Sequence, residues 1–189
     1  WIIIKMKVLV TGGAGFIGSW IVDYLVEKGF DVSVLDNLST GSLNNLKGML
    51  KRKIYVADIR GKYTQQVFEK ERPDYVFHCA AEINVRESLR DPKKCIDVNV
   101  NGSFNLLENC VKYGVKKFIF SSTGGAIYGD GVKIPTPEGE KEKPASPYGK
   151  SKLLLENYLK YFKGSEELDY VSLRYANVYG PRQNAKGEA

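Results

Sequence analysis

Lys7-Val8-Leu9-Val10-Thr11-Gly12-Gly13-Ala14-Gly15-Phe16-Ile17-Gly18 is the stretch that decides the fold. Val8, Leu9 and Val10 form a short apolar run of the kind that makes a buried parallel strand. Gly12, Gly15 and Gly18 then follow, and an apolar helical pattern begins at Phe16. Gly12 allows a tight turn that a β-carbon obstructs. Gly15 lets the backbone approach a pyrophosphate, and Gly18 lets the helix pack closely on the sheet. The helix start offers unpaired N–H groups and a positive dipole end to phosphates.

Glycine-rich turns are common, so the pattern needs support from elsewhere. Asp36 supplies it by ending a second apolar run, Val32-Ser33-Val34-Leu35, at the expected distance. A carboxylate there accepts hydrogen bonds from the adenosine ribose and repels a 2′-phosphate. Ala14 puts no arginine in the loop to receive such a phosphate. The reading is a nicotinamide dinucleotide site, for NAD over NADP, against the plainer alternative of a structural βαβ unit.

Outward from this motif, strands and helices alternate. A helix is expected over Phe16–Lys28, stopped by Gly29, and Asn37–Asn45 reads as loop. Further strands are Ile54–Ala57, Tyr75–His78, Lys117–Phe120 and Tyr170–Arg174. Helices are expected at Thr64–Glu71, as one rod over Lys93–Tyr113, and at Pro147–Lys163 with Leu153, Leu154, Tyr158 and Tyr161 in the core. Gly124–Ser146, rich in Gly, Pro and charge, reads as loop. Alternation of this kind predicts an α/β fold, a doubly wound parallel sheet with helices on both faces. Ligands in such sheets bind beyond the strand C-termini. The glycine loop, Asp36, Asp58, Ala80, Ala81, Thr123 and Tyr175 all fall there. Asp58 could meet the adenine amino group or simply end its strand. Asn99, inside the long helix, is either a surface residue or a brace for the site.

The chain has 189 residues, enough for one domain with a sizeable core, and 43% hydrophobic with 26% charged residues suits a globular protein. The net charge of +6 is densest at Lys51-Arg52-Lys53, with no aromatic or motif pattern beside it, so a solvated surface is favoured over nucleic-acid binding. Cys79, Cys95 and Cys110 are odd in number and lack C-x-x-C spacing. They read as reduced thiols of a cytoplasmic protein, with a reactive Cys79 the lesser alternative. His78, the single histidine, reads as a packed strand-end residue, and no metal site is expected. No segment is long and apolar enough to span a membrane. Trp1–Lys5 precedes Met6 and reads as an extension or cloning remnant, leaving 6–189 as the folded domain.

Tyr148 and Lys152 stand four residues apart near a helix start, in Pro147-Tyr148-Gly149-Lys150-Ser151-Lys152. Four residues rise about 6 Å and return to the same face, so the ammonium can lie near the phenol. A nearby cation favours phenolate, and a tyrosine so tuned can take a proton from an alcohol. Thr123, at the tip of the fifth strand, can bond the same oxygen. Alone, Y-x-x-x-K is frequent by chance; after a dinucleotide fingerprint and a Ser-Ser-Thr strand end it becomes specific.

Together these motifs resemble the extended short-chain dehydrogenase/reductase family that acts on nucleotide sugars, in its UDP-hexose 4-epimerase branch. The likeness runs from Met6 through T-G-G-A-G-F-I-G, D-N-L-S-T-G, H-C-A-A, N-V-N-G-S, S-S-T-G-G-A-I-Y-G, Y-G-K-S-K and L-R-Y-A-N-V-Y-G-P-R. It implies Tyr148 as acid/base, Lys152 as the residue that positions ribose and tunes Tyr148, and Thr123 as an aid to proton transfer. Asn177 is implied as a contact on the substrate's phosphate or uridine side, with Thr123 and Tyr148 also touching substrate. The implied NAD surface is Gly12, Gly15, Phe16, Ile17 and Gly18, then Asp36, Asn37, Ser39, Thr40 and Gly41, then Asp58, Ile59, Ala80, Ala81, Asn99, Tyr148, Lys152 and Tyr175.

The implied reaction interconverts UDP-galactose and UDP-glucose through a 4-keto sugar, with NAD regenerated in each cycle. Related UDP-N-acetylhexosamine or UDP-glucuronate epimerases share this half, and a dinucleotide-binding module without turnover is a reading of another class. Gly124-Gly125 stands where related 4,6-dehydratases carry an Asp-Glu pair, which disfavours dehydration. Glu82 stands where many relatives have glutamine. Family members continue past the G-P-R-Q motif into a smaller substrate domain, so this chain is expected to be part of a longer enzyme. The family also suggests a homodimer through the two long helices, whose apolar faces the sheet could equally satisfy.

Overall fold

A computed structural model of the chain describes residues 5–47 and 53–184. The Trp1–Lys5 extension, apart from Lys5, lies outside the described residues, as do Lys51 and Arg52 of the basic cluster.

Six parallel strands form one sheet in the order β3-β2-β1-β4-β5-β6. They are β1 (Lys7–Thr11), β2 (Asp31–Asp36), β3 (Ile54–Val56), β4 (Tyr75–His78), β5 (Lys117–Thr123) and β6 (Asp169–Tyr175). This is the Rossmann-type doubly wound arrangement, and the strand order reverses between β1 and β4, where a crevice opens at the strand C-termini. The register brings the relevant residues to that edge: Thr11 pairs with His78, His78 with Phe120, and Thr123 with Tyr175.

Each face carries its own core. On one side α1 (Phe16–Glu27) packs Val22 and Leu25 on Val8, Val10, Val32 and Val34. On the other, α2 (Tyr63–Glu71) and the later helices close over Leu9, Leu35, Val76, Phe118 and Phe120. Among the described residues no helix is long and apolar enough to cross a membrane.

Several elements depart from the sequence expectation. The loop Asn37–Asn45 runs into a 3₁₀ turn at Leu43–Leu46, started by Ser42 accepting from the Asn44 N–H. Val85–Arg90 forms a short helix, α3, capped by Asn84. The rod expected over Lys93–Tyr113 forms as one unbroken helical run, α4 (Pro92–Ile96) and α5 (Gly102–Lys112) continuing through an unforeseen π turn at Asp97–Asn101. Such wide turns recur at functional sites. Gly124–Ile127 is helical (α6) rather than loop, because the Thr123 side chain caps it by accepting from the Ala126 N–H.

In α7 (Pro147–Glu166) the inward face also differs from the expected one. Leu154, Tyr158 and Tyr161 are 42%, 40% and 61% exposed. The buried face is instead Ser151, Lys152, Leu155, Glu156, Leu159 and Phe162. Polar residues occupy part of it, which conceals the stripe from a hydrophobicity reading.

Candidate active site

The loop from β1 to α1 is built by contacts that a side chain would prevent. Gly12 has φ +68°, and a β-carbon there would lie 2.6 Å from the Ala80 nitrogen. At Gly18 a β-carbon would lie 2.2 Å from the Gly12 carbonyl oxygen. Gly15 differs: its only close neighbour would be the Gly12 oxygen at 3.2 Å, and the residue lines a cavity of about 890 Å³. Packing therefore requires glycine at Gly12 and Gly18, while at Gly15 a β-carbon would meet one tight contact beside the cavity.

Asp36 ties this loop to the next one. Its carboxylate accepts from the Ala14 N–H at 2.9 Å and from the Leu38 N–H at 2.8 Å, which fixes its rotamer at the cavity wall. Asn37, Ser39 and Thr40 continue that wall. Gly41 stands behind it, its β-carbon position 3.0 Å from the Ala14 backbone. At the end of β3, Asp58 and Ile59 line the same cavity.

Asp58 accepts four hydrogen bonds, from the Arg60 N–H, Nε and Nη2 and from Asn37 Nδ2. The Arg60 guanidinium holds this carboxyl well below the usual range. A carboxylate has about four lone-pair sites, so an adenine amino group arriving here must share or displace one of these donors. Sequence reasoning missed Arg60, which also reaches Asp97 in the π turn at 2.5 Å.

The other half of the cavity is assembled from β5, α6 and α7. Ser146 caps α7 by accepting from the Gly149 N–H, and Pro147 occupies its first turn. The Tyr148 N–H donates to Ser88 Oγ of α3 at 3.3 Å, which seats the tyrosine on the cavity wall. Gly149 packs so tightly that a β-carbon would fall 2.4 Å from the Ala126 oxygen, locking the start of α7 to α6. One turn on, Lys152 is 4% exposed, with Nζ 5.8 Å from the centre of the Tyr148 ring and 4.8 Å from that of Phe120. Its ammonium donates to the Ser121 carbonyl oxygen at 2.9 Å, and burial pushes its pKa down to about 8. Thr123 accepts from Ala126 through Oγ1, which leaves its hydroxyl proton to donate.

The surrounding residues fix this arrangement. Asn99 does not line the cavity but stands buried behind it, bonded to the Glu82 N–H at 2.8 Å, the Glu82 carbonyl at 3.0 Å and Ser151 Oγ at 3.0 Å. It thus ties the π turn to the loop after β4 and to α7. Glu82 pairs with Lys94 at 2.8 Å. His78 is buried between Thr11 Oγ1 at 2.7 Å and Ser103 Oγ at 2.8 Å, and desolvation pushes its pKa down to about 3. It is therefore neutral at ordinary pH. Burial raises the Cys79 pKa, which is the opposite of an activated thiol. Among the described residues no group of three or more His, Cys, Asp or Glu could hold a metal ion.

Ala80, Ala81, Tyr175 and Asn177 complete the cavity wall with Phe16 and Ile17. Below it, Arg174 of β6 grips both oxygens of Glu156 on α7, and Ser122 donates to the same carboxylate at 2.5 Å. This buried pair carries no signal in the local sequence, since its partners are 18 residues apart on different elements.

A dinucleotide fits these residues. One half of the cavity has a glycine-lined helix start and a fixed carboxylate; the other has a buried ammonium bonded only to one carbonyl among the described residues. A sequence profile of the NAD dependent epimerase/dehydratase family matches residues 8–189. The chain belongs to this family. Other family members place the likeness more finely. A putative UDP-glucose 4-epimerase of Methanocaldococcus jannaschii is 47% identical over 182 residues, covering 96% of this chain and 59% of that protein. The crystal structure of Thermotoga maritima UDP-glucose 4-epimerase with UDP-glucose superposes with a TM-score of 0.91 at 53% identity, over 97% of this chain and 60% of that one. The Thermus thermophilus UDP-glucose 4-epimerase complex with NAD gives 0.92 at 47% identity, over 97% and 59%. The chain thus spans about three fifths of the length of these family members.

Proposed function

We propose that this chain supplies the NAD site and the acid/base residues of a UDP-hexose 4-epimerase, an isomerase interconverting UDP-galactose and UDP-glucose. The observation that carries the reading is one cavity lined by the glycine loop and Asp36 on one side and by Thr123, Tyr148 and Lys152 on the other. NAD, when bound, supplies a reversible two-electron acceptor beside the sugar.

The chain's own residues move and hold the proton. Tyr148 takes the proton from the sugar 4-hydroxyl as its carbon is oxidised, and returns it after the bound keto sugar has turned over. Lys152, buried beside the phenol ring, favours the phenolate through its charge and can also hold the ribose. Thr123 donates its free hydroxyl proton to the same sugar oxygen. Asp36 accepts from the adenosine ribose, and its charge disfavours a 2′-phosphate. Asn177, on the wall past β6, meets the phosphate or uridine side of the substrate. Gly124 and Gly125 offer no acid or base for removing a 6-hydroxyl, which speaks against dehydration.

The free cysteines, two of them buried, support a reducing, cytoplasmic setting in galactose metabolism. The exposed Leu154, Tyr158 and Tyr161 on α7 support a homodimer through that helix.

The test is the full-length gene product incubated with NAD and UDP-galactose, the sugar being followed by NMR. UDP-glucose should form without net reduction of NAD, and Tyr148→Phe should slow it by roughly 10²–10⁴-fold. A 4-keto-6-deoxy product would refute the reading. UDP-N-acetylgalactosamine turned over in place of UDP-galactose would move it to the related hexosamine epimerases.

A further inference from the structure

The segment after β6, residues 176–184, carries Asn177 and lines the cavity with Val178, Arg182 and Gln183, yet it contains no helix or strand. Within it, the Gln183 N–H reaches the Gly180 carbonyl at 3.3 Å, and the Gly180 N–H reaches Gln183 Oε1 at 3.4 Å. It is also tied to α1, some 160 residues earlier in the chain. Trp20 Nε1 donates to the Pro181 carbonyl oxygen at 3.1 Å. Arg182 Nη2 bonds to Asp23 Oδ2 at 2.6 Å, and the guanidinium stacks on the Trp20 ring at 4.2 Å from its centre. Arg182 also has φ +72°, a left-handed conformation that a non-glycine residue keeps only when its surroundings impose it.

Trp20 and Asp23 lie on the outer side of the helix whose first turn forms the dinucleotide end of the cavity. The dinucleotide end is independently locked by the packing of Gly12 and Gly18. Breaking the contacts of Arg182 would therefore release the substrate-side wall and leave the dinucleotide side in place. We propose that Trp20, Asp23 and Arg182 form a clamp in which the cofactor helix positions the substrate-binding segment, with Arg182 as a positioning residue for the nucleoside-diphosphate half of the substrate. The clamp deepens the epimerase reading and rests on it for the identity of the ligand. Arg182 Nη1 is buried without a hydrogen-bond partner among the described residues, a cost the protein carries in return for this placement.

The experiment uses the full-length gene product, titrated by calorimetry with NAD and, in the presence of NAD, with UDP, while hydrogen exchange is read over residues 176–184. Arg182→Ala and Asp23→Ala should each weaken UDP binding by roughly tenfold, as expected for the loss of one anchoring ion pair, and leave NAD binding within about twofold. The double variant should be no worse than either single one, and Arg182→Lys, which keeps the charge, should recover part of the affinity. Exchange over 176–184 should quicken in the alanine variants. Unchanged UDP affinity in a variant whose segment exchanges faster would overturn the proposal, as would an equal loss of NAD and UDP binding. Failure of the unmodified protein to bind UDP would refute the epimerase reading instead. The clamp itself would then stand or fall on the exchange data.

Discussion

Gly149 and Ala126 meet backbone to backbone, with no room for a β-carbon between the start of α7 and the carbonyl of α6. That contact sets the spacing between Tyr148, on the residue before, and Thr123, which caps α6.

Gly149→Ala is accordingly expected to act against helix propensity. Alanine would ordinarily stabilise a helix by up to about 1 kcal/mol over glycine. Here the added carbon would sit 2.4 Å from the Ala126 oxygen and 3.0 Å from Pro144 Cβ, so α7 must shift. Overpacking costs about 1–3 kcal/mol, and a shift near 1 Å at the reacting groups costs roughly 10²-fold in rate. In the full-length protein kcat should fall by about 10–100-fold, more than NAD affinity does, because the glycine loop and Asp36 stand apart from α7. A wild-type kcat would show that the contact does not position Tyr148.

Lys152 gives a pH dependence with a defined sign. Burial lowers its folded-state pKa from 10.5 to about 8. Between those values the unfolded chain binds the proton and the folded one does not, so stability rises with pH across that window. Below it, holding the charged ammonium costs the ligand-free protein about 3 kcal/mol. Lys152→Met should therefore stabilise the ligand-free protein near pH 7 by an amount of that order while crippling turnover. The gain should shrink steadily as pH rises from 8 to 10.5. Urea unfolding at a series of pH values measures it, and a gain that does not vary with pH would contradict the burial cost.

Glu156→Gln tests the buried pair beneath the site. Arg174 would keep Glu142, bonded at 2.8 Å, but lose its two-point grip on Glu156, and Ser122 would lose a charged acceptor. Breaking such a pair costs about 3–5 kcal/mol when both partners are fully buried. With Arg174 one-fifth exposed and still paired, about 2 kcal/mol is expected. The urea midpoint should fall with an unchanged denaturant slope. A change below about 0.5 kcal/mol would mean that Glu142 alone suffices.

Much of this molecule was legible in its residues because the signals are local. The strand at Val8–Val10, the turn at Gly12 and the carboxylate at Asp36 each declare themselves within a few positions, and the alternation of elements then specifies the sheet. The misread parts depend on which side-chain partners meet, and neither hydrophobicity nor helix propensity reports that. A hydrophobicity reading favours Leu154, Tyr158 and Tyr161 for the core, whereas Glu156 is buried because Arg174 stands opposite it. Asp58 reads either as an adenine contact or as a plain strand end, and neither reading shows that Arg60 and Asn37 fill its carboxylate. The helix at Gly124–Ile127 was obscured by two leading glycines and revealed by a side-chain cap from the preceding strand.

The three glycines of the opening motif do not answer to one constraint. Replacement at Gly12 or Gly18 collides with the protein's own backbone, so any lineage that still needs this fold must keep them, whatever it binds. Gly15 is held less strictly: a β-carbon there would sit 3.2 Å from the Gly12 oxygen, a contact relieved by a few tenths of an ångström rather than by a new backbone path. The same three letters thus answer to unequal demands: the outer pair is fixed by the fold itself, and the middle one bears the lighter load, at the edge of the space a ligand would fill.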